Sequence, residues 1–338
     1  MKIVVDAFGS DRGEPVMTEG SVLAVNEDKS VTVVIVGDSD VINAELEKYS
    51  YDKNRIEVVD AKGKITNNDV PTLAIRQKKD SSLVKALEIT KDDPEVGGMV
   101  SSGSTGAVLT GAFLKIGRIK GILRPALCPL LPTLIDDQKV ALVDCGANMD
   151  CRPEHLEQFA LMGASYMKTM GLEDPRVALV SVGDEDKKGN ELTHEVFTRL
   201  KNQPINFVGN MEARYALTGK YDVLVCDGFV GNVLLKSIEG TAGMVMKMMK
   251  NAIYGSFWAK IGGLFMKKQL GSLKNKMDYQ QNGGAVFLGV KKVMVKGHGS
   301  STAISVKNSI LQAKALAERN LVANIEENLK SFGVVCDE

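Results

Sequence analysis

The sequence predicts an α/β fold, a three-layer α/β/α sandwich built on a mostly parallel sheet. Three patterns carry that expectation. Short apolar runs rich in valine and isoleucine recur along the chain, among them KIVVD (2–6), VTVVIVG (31–37), IEVVDA (56–61), KVALVDCGAN (139–148) and RVALVSVG (176–183). Helical segments of about 10–20 residues separate them, the alternation of βαβ units whose sheet is covered on both faces. Nearly every run also ends in Gly, Asp, Ser or Asn, and in open α/β sheets the ligand crevice lies at those carboxyl ends.

The 338 residues suffice for a large core, in one domain or in two lobes. A hydrophobic content of 44% with 25% charged residues is ordinary for a globular chain. Lys+Arg and Asp+Glu balance at 42 each, so no overall field points to nucleic acid. Cys128, Cys145, Cys151, Cys226 and Cys336 are scattered, without metal-ligand spacing or a disulfide framework, which fits a reducing cytosol. The first residues read directly as a strand and its turn, and no run of about 18 apolar residues occurs. Secretion and membrane spanning are therefore not expected.

Taken in order, the first strand ends in the turn DAFGSD (6–11), and a helix follows near 17–26. After the strands at 31–37 and 56–61, residues 66–91 read as helical, with Pro71 near an N-terminus. MVSSGSTGAVLTGAFLKIGR (99–118) combines a buried strand, a small-residue turn and a helix. Its Ser102, Gly103, Ser104, Thr105 and Gly106 place hydroxyls and unhindered N–H groups where a helix begins, an environment that favours an anion. The same residues also read as an ordinary strand-to-helix turn. The loop is neither a Walker A sequence nor a GxGxxG fingerprint, so it points to phosphate or a small anion rather than a nucleotide.

Further on come the strand at 139–148, an amphipathic helix at 153–170, the strand at 176–183 and the charged loop DEDKKGNE (184–191). A helix near 191–201, a strand at 205–210 and the run YDVLVCDGFVGN (221–232) follow. Residues 241–277 break the pattern, with seven lysines, no Asp or Glu, and the only tryptophan. On a helix Phe257, Ile261, Leu264 and Phe265 share one face, with Trp258 at its edge and Lys260, Lys267 and Lys268 nearby. Such a segment reads as a core or dimer helix, or as a basic, aromatic-tipped element for an acidic protein or an anionic membrane. A strand near 291–296, a second anion-type turn at 297–301 (His298, Gly299, Ser300, Ser301) and a helix from 302 to 329 complete the chain. The expected organisation is one continuous α/β unit, with sub-lobes near 1–150 plus 300–338 and 151–299.

No HExxH, P-loop, paired-cysteine site or GxSxG elbow occurs, so no metal is expected. Among His155, His194 and His298, only the last sits between glycines ahead of a helix. Lys187 and Lys188 can pair with an oxyanion or phosphate, or belong to a solvated loop. Asp227, Gly228 and Asn232 form a polar turn that orients substrate or simply caps a helix.

These motifs together resemble the phosphate acyltransferases of bacterial phospholipid synthesis, the PlsX family, over essentially the whole length. The likeness rests on DAFGSD (6–11), VGD (36–38), RQKKDSSLVKAL (76–87), SSGSTGAVLTGA (101–112), GRIKGILRPAL (117–127) and LPT (131–133). It continues through DCGANMD (144–150), PEHLEQFALMG (153–163), SVGDEDKKGNELT (181–193), GNMEAR (209–214), VCDGFVGNVLLKSIEG (225–240), LGV (288–290) and KGHGSS (296–301). The chain departs from the family's usual DAMGGD at Phe8 and Ser10, from GNTGA at Ser104, which replaces the asparagine, and from PLLGV at Val286 and Phe287.

The resemblance implies the α/β/α fold of phosphate acetyltransferases and isocitrate/isopropylmalate dehydrogenases, assembled as a homodimer. It implies transfer of a long acyl chain from acyl carrier protein to inorganic phosphate, giving acyl phosphate without a cofactor. A cytoplasmic enzyme peripheral to the inner face of the cell membrane is implied, with the downstream glycerol-3-phosphate acyltransferase as a further partner. In the expected mechanism phosphate attacks the thioester directly. The 102–106 and 298–301 turns hold phosphate, Lys187 or Lys188 and Asn232 hold phosphate or the oxyanion, and Asp6 and Asp227 orient them. The apolar groove for the acyl chain is expected near 244–249 and 257–265. Two other classes stay open: a metal- and NAD-dependent decarboxylating dehydrogenase on the same fold, and a non-catalytic membrane or carrier-protein adaptor.

Overall fold

The computed structural model describes residues 1–256, 259, 261–262, 265–271 and 283–331. Phe257, Trp258, Lys260 and Leu264 of the expected interaction segment lie outside the described residues. Among the described residues the strands form two sheets. The first has seven strands: β1 (Lys2–Asp6), β2 (Thr32–Gly37), β3 (Ile56–Asp60), β4 (Val96–Ser101), β5 (Ala126–Cys128), β11 (Ala285–Leu288) and β12 (Val293–Lys296), in the order β3-β2-β1-β4-β12-β11-β5. The second has five: β6 (Leu130–Pro132), β7 (Lys139–Val143), β8 (Val177–Ser181), β9 (Phe207–Glu212) and β10 (Val223–Val225), in the order β6-β7-β10-β8-β9. Pairing is parallel except at β11 and β6. The α/β sandwich is as expected.

Helices cover both faces of the first sheet because side chains alternate along each strand. Ile3, Val5, Val33 and Ile35 pack with Met17, Val22 and Val25 of α1 (Glu14–Glu27), with Ile42 and Leu46 of α2 (Ser39–Leu46) and with Val306 and Ile310 of α9 (Ala303–Glu318). On the opposite face Val4, Val34 and Met99 meet Leu83, Val84 and Leu87 of α4 (Ser82–Asp92) and Ala107 and Val108 of α5 (Thr105–Gly111). The second sheet likewise sets Val143, Val177 and Val225 in one cluster and Leu142, Ala178 and Leu224 in another. Between the sheets runs α6 (Pro153–Thr169), whose Leu156, Phe159 and Tyr166 belong to the same core cluster as strands of both. α7 (Glu191–Leu200) adds Val196 and Phe197 beside it, and α10 (Leu321–Ser331) adds Ile325.

Several local expectations change. The stretch 66–91 is two helices, α3 (Pro71–Gln77) and α4, because Ser81 turns the chain. Its Oγ donates to the Lys78 carbonyl at 2.7 Å, and its side chain caps α4. The final helix is likewise two, broken where Asn320 takes the left-handed conformation (φ 55°). Short strands β5 and β6 lie in a stretch for which the sequence predicts no element, and β11 lies ahead of the strand expected near 291–296. Residues 130–143 belong to the second sheet, and β11 and β12 return to the first. The chain crosses between sheets at Pro129, where Asp144 ties the passage: its carboxylate accepts from Leu127 N at 2.8 Å and from Asn148 N at 2.6 Å.

Candidate active site

β1 and β4 are neighbours, yet β2 lies on the far side of β1; the order reverses there, and such reversal points hold the crevice of open α/β sheets. The last residues of three adjacent parallel strands stand in register at this place: Asp6 opposite Ser101, and Ser101 opposite Lys296. Asp6 is buried, and its carboxylate accepts from Ser82 Oγ at 2.6 Å, Ser101 Oγ at 2.7 Å and Phe8 N at 3.4 Å. Burial raises its pKa, while the three hydrogen bonds pull the other way.

The loops leaving these strands touch one another. A side chain at Gly9 would place Cβ 2.1 Å from Gly103 N, so only glycine permits this backbone contact. Gly297 is held to β4 by its N–H, which donates to Ser101 O at 2.9 Å. A Cβ there would sit 2.5 Å from Ser102 Oγ. Asp11 N donates to Gly299 O at 2.8 Å and Ser10 Oγ donates to it at 3.2 Å, so the first turn braces the last. Ser301 Oγ donates to His298 O at 2.6 Å, and His298 Nδ1 accepts from Ser300 N at 3.2 Å. Burial, with the charges of Lys236 and Lys296, lowers the His298 pKa.

A cavity of about 370 Å³ opens here. Its first-sheet wall includes Ser102, Gly103, Ser104, Thr105, Lys296, His298, Gly299 and Ser301; its second-sheet wall includes Cys145 and Gly146 beyond β7. Asn232, Leu235 and Lys236 of α8 (Gly228–Tyr254) close it. Burial lowers the Lys296 pKa to about 8, against the opposing influence of Asp6 and Asp11. Cys145 is pushed up to about 12 by burial, so its thiol stays protonated and is a poor nucleophile.

Both sequence-selected turns thus meet in one cavity, with Asn232 on the opposite wall. Gly106 and Ser300 belong to the same turns but do not line it. Asp6 lies beneath the lining, held to Ser101. Asp227 is the N-cap of α8, its Oδ1 accepting from Val230 N at 2.8 Å, and is not part of the lining. Lys187 and Lys188 do not line the cavity either. They are exposed in the loop after β8, two strands along from β7 at the same carboxyl end of the second sheet. The lysines that do line it, Lys236 and Lys296, escape sequence reasoning, although Lys296 opens the KGHGSS motif at a strand end.

α8 has 27 residues but buries only Gly228, Gly231 and Leu235. Phe229, Val233, Met244, Val245, Met248 and Tyr254 are exposed along it, and beyond it Phe265 and Met266 are exposed beside Lys267 and Lys268. Ile261 is half-buried. No helix of the described residues is long and apolar enough to cross a membrane.

Comparison with known proteins agrees with this architecture. A family model described as "Fatty acid synthesis protein" matches residues 1–324. The phosphate acyltransferase of Clostridium perfringens (strain SM101) is 46% identical over 336 residues, covering 98% of both chains. That of Clostridium acetobutylicum is 45% identical over 333 residues, covering 98% of this chain and 100% of its own. A phosphotransacetylase from Streptococcus pyogenes shares the fold, with a TM-score of 0.62 at 16% identity over 94% of each chain. This chain belongs to the phosphate acyltransferase family of fatty acid synthesis proteins and is an acyltransferase.

Proposed function

We propose that the enzyme transfers a long acyl chain from acyl carrier protein to inorganic phosphate bound in the cavity between the two sheets. The observation that carries this reading is the convergence of two glycine-serine turns, two lysines and Asn232 on one cavity whose cysteine is a protonated, buried thiol. With no activated nucleophile at hand, direct attack is the simplest chemistry. A phosphate oxygen bonds to the thioester carbonyl carbon, the C–S bond breaks, and the proton of hydrogen phosphate passes to the departing sulfur. Acyl phosphate and the free carrier thiol result. Positioning the two reactants supplies up to roughly 7–11 kcal/mol, and a donor at the tetrahedral oxyanion about 3–4 kcal/mol. Asn232, which lines the cavity with the phosphate turns, takes the oxyanion in this reading. Asp6 and Asp227 act as positioning residues through Ser101 and the first turn of α8. Lys187 and Lys188 serve as outer cations for the acidic carrier.

The exposed apolar residues of α8 support a homodimer contact and the side of the acyl groove. Phe265 with Lys267 and Lys268 supports peripheral contact with an anionic membrane on the cytoplasmic face, where the downstream acyltransferase would receive the product. The decisive assay incubates long-chain acyl carrier protein with the enzyme, with and without inorganic phosphate, and traps acyl phosphate with hydroxylamine. Phosphate-dependent loss of the thioester is expected; a thioester left intact by the folded enzyme would overturn the reading.

A further inference from the structure

Ser102 Oγ is buried at the cavity wall, its residue 2% exposed, and among the described residues it has no hydrogen-bond partner. A buried hydroxyl at a cavity wall without a protein partner is destabilising unless a ligand in that cavity completes it. Lys296 lines the same cavity, set by the register of β12 one strand away from Ser101. One of its three N–H donors goes to the Gly297 carbonyl. It makes no ion pair among the described residues, although Asp6 and Asp11 lie near enough to favour its charge. A Cβ at Gly297 would lie 2.5 Å from Ser102 Oγ, so the glycine leaves that hydroxyl its room.

We infer that Lys296 and Ser102 together bind the oxygens of the acceptor phosphate, the ammonium as its counter-charge and the hydroxyl as a donor. This rests on the reading of the cavity as a phosphate site and names the residues within it. Asp6 then acts as a positioning residue: it anchors Ser101, which fixes the backbone to which Gly297 and the Lys296 strand end are tied. The Lys296 pKa of about 8 gives the assignment a signature in pH. Phosphate affinity should fall as pH rises through that value, because the cation is lost while phosphate keeps its charge. The other charged groups facing Lys296 are Asp6, Asp11 and Lys236, with His298 beside them.

The test is calorimetric titration of the full chain with inorganic phosphate alone, followed by steady-state kinetics in which phosphate and acyl donor are varied separately. Lys296→Met should weaken phosphate binding roughly tenfold or more, as expected for loss of a charge-assisted contact. It should also flatten the pH dependence around 8 and raise the KM for phosphate rather than for the donor. Ser102→Ala should weaken binding severalfold, Lys296→Arg should restore part of the loss, and Lys291→Ala, on an exposed turn, should change nothing. Thermal melts establish that each variant is folded; should Lys296→Met fail to fold, Ser102→Ala carries the test. Unchanged phosphate affinity in folded Lys296→Met and Ser102→Ala would overturn the assignment, and so would a rise confined to the donor KM. Phosphate-dependent turnover by the wild type would in that case leave the transferase reading standing. A wild type that binds phosphate through Lys296 but leaves the thioester intact would reverse that outcome.

Discussion

Asp6 and Asp222 are both buried carboxylates, and their surroundings set them to different tasks. Asp6 receives only neutral donors, and burial holds its pKa up. Replacing it with alanine leaves Ser82 and Ser101 without their acceptor beneath the cavity. We expect a loss of about 2–3 kcal/mol in denaturant unfolding, together with a raised phosphate KM. Asp222 is also pushed up by burial, but Arg176, at 2.8 Å, and Gln138 more than offset this and hold it below the ordinary value of 3.8. Its contribution is therefore present above pH 3.8 and is lost as pH falls through the lowered value. Asp222→Asn should cost about 2 kcal/mol near neutrality, less than a fully buried pair because Arg176 is partly solvated. Melts at descending pH should show the variant and wild type converging below 3.8. At this scale the sequence is informative where a polar residue interrupts an apolar run, as at Asp6, Ser101 and Ser102. It is silent on Lys296, because a lysine ending a strand looks like any solvated edge, and burial arises only when β12 inserts beside β4. Lys187 and Lys188 attract notice through local charge density, whereas cavity membership is a long-range property.

Among the elements, α8 departs furthest from the expectation that a helix hides its apolar side. Its N-terminus is fixed by Asp227 and by Gly231, where a Cβ would sit 1.9 Å from Asp144 O, so its start is locked to β7. Past Leu235 none of its residues is buried among the described residues. Met244→Glu with Met248→Glu should accordingly change monomer stability by no more than about 0.5 kcal/mol. If α8 is the dimer contact, light scattering after gel filtration should show the wild type at twice the chain mass and the double variant at one. A dimer that survives both changes would place the contact elsewhere. Most helices and central parallel strands are legible from periodicity and their glycine, proline and polar stops. The short antiparallel strands are not, since AVFL at 285–288 carries no alternation and becomes a strand only because β5 and β12 offer it two partners. The split between α3 and α4 falls where Ser81 caps α4 and Ser82 N donates to Gly63 O, a partner distant in sequence.

Over the whole molecule the cavity is assembled from both sheets, so a ligand there bridges them. Phosphate at about 100 times its Kd should stabilise the fold by about 2.7 kcal/mol. Differential scanning fluorimetry should show a rise with phosphate, none with chloride at equal ionic strength, and little in Lys296→Met. The fold class is readable from the strand-helix alternation, because that pattern has few solutions. The division into sheets is not, because the crossing at Pro129 and the return of β11 and β12 depend on which edges remain open once the other strands have paired.

That return also bears on synthesis. β12 lies between β4 and β11, yet it is among the last strands to be made, whereas β6 to β10 are finished by residue 225. As the nascent chain lengthens, the β4 edge stays unpaired until residues 293–296 leave the ribosome. An exposed edge of valine and methionine is a template for pairing with another chain. Translational pausing between 225 and 296 therefore lengthens the interval in which one growing polypeptide can capture its neighbour.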